Sequence, residues 1–148
     1  KEVSEKTPFR FGSKSEKIPA SLVGGNADSD LESSKLSRGI QKYDSSDYAG
    51  SEILLEEYIV DFPNDYIALY YSGVSDYFLG QFDDAISKLD KVVKVKKGSY
   101  FEIAQWYLAL SEIGKKENKK AEKILNEIIK SNSSFKPQAE QRLKEISE

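Results

Sequence analysis

Apolar residues between positions 66 and 95 recur at the spacing of two consecutive helices. Residues three and four apart share one face of a helix, so each stripe predicts an amphipathic helix, with residues 80–83 as the turn between them. A helix pair this short cannot bury both stripes alone and needs neighbours of its own kind. The two stripes are Ile67, Tyr70, Val74, Tyr77 and Phe78, and then Ala85, Ile86, Leu89, Val92 and Val93.

A similar pattern lies upstream at a constant spacing. Gly39 and Gly73 are 34 residues apart, as are Leu55 and Leu89. A fixed period of this length indicates a structural repeat in which each unit is one helix–turn–helix. The sequence therefore predicts that the pair at 66–95 stacks on an earlier copy of itself.

A third copy lies downstream, with a change of spacing. Gly80 corresponds to Gly114 at 34 residues, whereas Ala85 corresponds to Ala121 at 36. Two extra residues are therefore predicted in the third turn, within the charged run 115–120.

The period of about 34 residues resembles that of tetratricopeptide repeats. The resemblance covers residues 30–148 and departs from the family at Ser72 and Asp76, where the family has large apolar residues. The central copy carries the family's residues at Gly73, Gly80, Phe82 and Ala85.

This resemblance implies an all-α fold, a right-handed α-solenoid of three helix–turn–helix repeats plus a C-terminal capping helix. The repeats are expected at about 32–65, 66–99 and 100–134, and the capping helix at 135–147, with Pro137 near its start. A solenoid needs such an end with a polar outer face. Residues 1–28 are predicted to form an extended or flexible N-terminal arm.

Composition removes most catalytic chemistry. The chain has no cysteine and no histidine, so it lacks thiol nucleophiles and the commonest general base and metal ligand. No pair of carboxylates is singled out by spacing, and we predict no catalytic residue, no metal site, no cofactor and no enzymatic activity. The net charge of −3 gives no electrostatic reason to bind nucleic acid. No apolar run is long enough to insert into a membrane.

The resemblance also implies a binding surface. First helices of tetratricopeptide repeats line a concave groove that binds a protein or peptide, and exposed apolar stripes usually mark a partner. Two other interpretations stay open: a small roll of the helices into the core, or coverage by the N-terminal arm or a second copy. The predicted partner-binding residues are Leu36, Ile40, Tyr43, Ile67, Tyr70, Val74, Tyr77, Phe78 and Phe101.

The alternative function is an assembly element that forms a homodimer through the same aromatic stripe. Residues 106–110, together with the following helix, resemble repeat domains of bacterial envelope proteins, which favours an extracytoplasmic (periplasmic) location. Methionine is absent even from position 1, so we expect a piece of a longer protein whose anchor or signal peptide would lie upstream.

Overall fold

The described part of the chain is entirely α-helical, which confirms the predicted all-α repeat fold. The computed structural model describes the backbone of residues 27–148 and the side chains of residues 34–148. Consecutive helices pack on one another, and the predicted arm lies outside the described residues except for Ala27 and Asp28, which begin α1. The helices are α1 Ala27–Asp44, α2 Tyr48–Asp61, α3 Tyr66–Phe78, α4 Phe82–Val95, α5 Gly98–Gly114, α6 Asn118–Lys130 and α7 Lys136–Ser147.

The turn inside each pair has the same backbone geometry. Ser46, Gly80 and Lys116 adopt left-handed φ angles of 64°, 77° and 64°. This region suits the residue after a helix end, and it costs a non-glycine side chain some strain. The three turns therefore mark equivalent positions in the three pairs.

The turns show that the predicted insertion in the third turn is wrong. The amide of Gln81 donates to the carbonyl of Asp76, and the amide of Glu117 donates to that of Glu112, both at 2.8 Å. The third pair therefore follows the second at 36 residues throughout, and Lys116, not Gly114, is the counterpart of Gly80. The two extra residues precede the pair, at the start of the longer helix α5.

Gly114 misled the alignment because it is a glycine for a different reason. A Cβ at this position would lie 2.6 Å from the ring of Phe82, so the end of α5 could not approach that ring with any larger residue. Gly73 plays the same part between α3 and α4, where a Cβ would lie 2.8 Å from Leu89. Both glycines record close packing, not turn geometry.

The core runs along the two inner helices. Ten consecutive residues of α3, from Ile67 to Asp76, are buried, and so are ten of α5, from Ile103 to Glu112. Helix α7 closes the far end, with Phe135 and Ala139 buried against the preceding helices. Over the residues described, the search for a helix both long and apolar enough to span a bilayer finds none.

Candidate functional site

The structure divides the nine predicted partner-binding residues into two groups. Those in the first pack into the core, so their assignment to an exposed groove needs correction: rings and aliphatic groups of neighbouring helices cover them. Tyr70, for example, meets the ring edges of Tyr71 and Tyr100 at centroid distances of 5.0 and 5.2 Å. The buried residues are Leu36, Tyr43, Ile67, Tyr70 and Val74. The half-buried ones are Ile40, Tyr77, Phe78 and Phe101.

Phe101 stands apart from the other eight in register. The 36-residue offset makes Ile103 the counterpart of Ile67, so Phe101 lies two residues before the stripe it was assigned to. The residues of α5 that continue the stripe are Ile103, Trp106, Leu110 and Ile113.

Half-buried rings gather where α3 ends. Phe78 stacks on Tyr48 at 4.9 Å between centroids, and Tyr77 lies 5.1 Å from Phe78 and 5.9 Å from Phe82. Both Tyr77 and Phe78 also contact the buried ring of Tyr107, at 5.3 and 5.7 Å. We call these five residues the aromatic cluster; they join α2, α3, α4 and α5.

The aromatic cluster offers a surface that is apolar and partly open. Burial raises the pKa of Tyr77, so its phenol stays neutral at physiological pH. The sequence identified Tyr77 and Phe78 but took Tyr48 and Phe82 for turn residues. Their common position, two residues after each left-handed turn residue, was the available signal.

A second polar site was missed altogether. The ammonium of Lys88 donates to Ser72 Oγ at 2.7 Å, Asp76 Oδ2 at 2.8 Å and Glu52 Oε2 at 3.1 Å, and it also contacts Glu56 Oε1. Asp76 is fully buried, whereas half of the Glu56 side chain is exposed. We call these five residues the polar cluster. It joins α2 of the first pair to α3 and α4 of the second.

The polar cluster explains the departures at Ser72 and Asp76. They stand one helical turn apart on the side of α3 that faces α2 and α4, where they receive Lys88. The predicted roll of the helix is therefore not needed to account for them. Polar residues replace apolar ones here because the buried lysine must be paired.

Carboxylates outnumber the ammonium in this cluster. Burial raises the pKa of Glu52 to about 7, assisted by a hydrogen bond with Asp76, although Ser72 and Lys88 oppose the shift. Burial alone would lower the pKa of Lys88, but hydrogen bonds to Asp76 and Glu56 outweigh it and raise the pKa.

The same arrangement bears on metal binding. The ligand oxygens of Glu52, Glu56 and Asp76 lie within 4.8 Å of one another, a spacing at which three carboxylates could share an ion. The ammonium of Lys88 touches all three, so the chain's own cation already takes that place. The polar cluster is best described as a structural link between helix pairs.

The raised pKa of Glu52 predicts that acidification stabilises this link. The folded chain holds the proton up to about pH 7 and the unfolded chain only to about 4.5, so stability falls as pH rises through that window. We expect Glu52→Gln to remove this dependence. The difference between parent and variant should change by on the order of 1–3 kcal/mol between pH 4.5 and pH 7.5.

Urea denaturation at a series of pH values measures this effect. The difference between the two proteins isolates Glu52 from groups with opposite behaviour, such as Glu102, whose pKa is lowered by a hydrogen bond from the backbone of Ser134. Parallel curves for the parent and Glu52→Gln would show that Glu52 is ionised in the folded protein.

Comparison with known proteins agrees with this geometry. Residues 67–95 match the family model of the tetratricopeptide repeat. The matched segment spans α3 and α4, the pair that carries most of the aromatic cluster. A search of curated proteins finds no match to the chain.

Proposed function

Because this chain is a tetratricopeptide-repeat protein, and so a protein–protein interaction module, we propose that it binds a peptide at the aromatic cluster. The site lies where the first helices of the pairs end, on the stripe that the family uses for its concave groove. The family is generally a non-catalytic scaffold, and the proposed role needs no chemistry from the side chains.

One observation carries the proposal: Tyr77 and Phe78 stay half-buried at the end of a helix that is otherwise covered. Their rings are held by Tyr48, Phe82 and Tyr107, so a partner would meet them already ordered. Ordering in advance lowers the entropic cost of binding. Tyrosine adds an apolar ring with a polar tip, which suits contact with a peptide.

Tyr77→Ser tests this site. We expect peptides selected on the parent protein from a displayed random library to bind the variant about tenfold more weakly or worse, since aromatic residues often dominate interface energies. The fold should lose only about 1–2 kcal/mol, because the ring is half-buried. Fluorescence anisotropy and thermal melting measure the two effects.

Tyr66→Ser is the matched control. Tyr66 is a half-buried tyrosine on the same helix, but it lies at the opposite end, against Tyr100. Its replacement should leave peptide binding unchanged. Equal losses from both variants would count against the aromatic cluster as the binding site.

The alternative function, self-association, uses the same surface and has a distinct outcome. Light scattering on the parent would then give a dimer, and Tyr77→Ser would convert it to a monomer. A parent that is monomeric at all concentrations used for peptide binding supports the peptide site.

We also propose that the protein works outside the cytoplasm, in a bacterial envelope. The support is the likeness of residues 106–110 and the helix after them to envelope repeat domains. Fractionation of cells that produce the complete protein tests it, and recovery in the cytoplasmic fraction alone would refute it.

A further inference from the structure

Helix α2 carries an apolar surface that its two counterparts lack. Ile53 and Val60 are 66% and 78% exposed, and their separation of seven residues places them on one side of the helix. The same positions hold polar residues in the other two pairs, at 34 residues and then a further 36 along the chain. These are Ser87 and Lys94 in α4, and Lys123 and Lys130 in α6.

Charge differs between these helices in the same way. Exposed Glu57 and Asp61 flank the two apolar residues of α2, and that helix contains no lysine or arginine. The counterpart of Glu57 in α4 is Lys91. Within residues 34–148, neither Glu57 nor Asp61 takes part in an ion pair. We call Ile53, Glu57, Val60 and Asp61 the α2 outer face.

We propose that the α2 outer face binds an amphipathic helix whose apolar stripe is flanked by lysine or arginine. Exposed apolar residues two turns apart match the ridge spacing by which helices pack side by side. The acidic neighbours would pair with basic flanks and set the orientation of the bound helix. With 14 residues, α2 is about 21 Å long and could support a partner of some four turns.

Charge argues against two other occupants. A second copy docked through the same face would place Glu57 and Asp61 against their own equivalents, and like charges in contact are costly. The outer face of α6 is basic, but lysines stand at both positions where an apolar stripe would be needed. An anionic membrane surface would repel the carboxylates.

The site is separate from the aromatic cluster, and its test can succeed or fail independently of the proposed function. The probe is a labelled peptide of about 14 leucine and lysine residues, with all leucines on one helical face. We expect it to bind the parent protein, with an affinity that falls as salt is added.

The decisive variant is Ile53→Ser with Val60→Lys, which gives α2 the residues that α4 carries at these positions. We expect it to bind the probe at least about tenfold more weakly. Both side chains are exposed, so circular dichroism and melting should be unchanged. The matched control is Ser87→Ala with Lys94→Ala on α4, which should bind as the parent does.

Three results would overturn the proposal. The first is equal binding by the parent and the α2 variant. The second is equal binding of a scrambled leucine–lysine peptide without an apolar face, since net charge alone would then explain the attraction. The third is a parent dimer in light scattering that the α2 variant dissociates, which would make a second copy the occupant. Tyr77→Ser should leave probe binding unchanged.

Discussion

Lys88→Met is expected to destabilise the protein by about 3 kcal/mol, because it leaves a fully buried carboxylate without its cation. Methionine keeps most of the aliphatic stem, so the loss reflects charge and hydrogen bonding more than packing. Asp76 and Ser72 would both lose the ammonium they now contact at 2.8 and 2.7 Å. Urea denaturation followed by circular dichroism measures the change.

A second substitution identifies the cause. In the Lys88→Met background, Asp76→Leu should recover most of the loss, since removing both buried charges of such a pair is often nearly neutral. The two remaining acids tolerate the change: Glu56 is half exposed, and the pKa of Glu52 of about 7 lets it take a proton. Lys91→Met, on an exposed position of the same helix, is the control. A double variant less stable than Lys88→Met would exclude the buried charge as the origin.

Trp106→Ala is expected to cost about 3–5 kcal/mol, the usual range for truncation of a large buried aromatic residue. The side chain is 2% exposed, and its ring stacks on Phe135 at 5.7 Å. The change would leave a cavity between α5 and the segment that leads into α7.

Trp106→Phe should lose much less, since it keeps a ring beside Phe135. Guanidinium denaturation compares the three proteins. An alanine variant with the parent's midpoint would show that the tryptophan contributes nothing to the contact with Phe135.

The helices themselves could be predicted from the sequence with good accuracy. The stripes at Tyr66–Phe78 and Phe82–Val95 have a clear helical period, and the structure places α3 and α4 there. The third pair was misaligned because a glycine that allows close packing looks the same in a sequence as a glycine that makes a turn. The left-handed turn position in that pair is taken by Lys116, a residue with no preference that would reveal it.

Burial was harder to predict than periodicity. A stripe such as Tyr70, Val74 and Tyr77 shows which residues share a face, but the depth of each depends on neighbouring helices. The polar cluster was beyond reach for the same reason. Lys88 meets residues 12, 16, 32 and 36 positions away, and nothing local distinguishes it from an ordinary surface lysine.

The stack of Trp106 on Phe135 makes the chain its own optical probe. The protein has one tryptophan and nine tyrosines, so excitation at long wavelength gives emission from a single known place, the junction of α5 with the final helix. Far-ultraviolet ellipticity, by contrast, averages over all the helices. Unfolding curves recorded by both signals on the unmodified protein therefore compare the last junction with the whole array, and their coincidence or separation measures the cooperativity of the repeats without any attached dye.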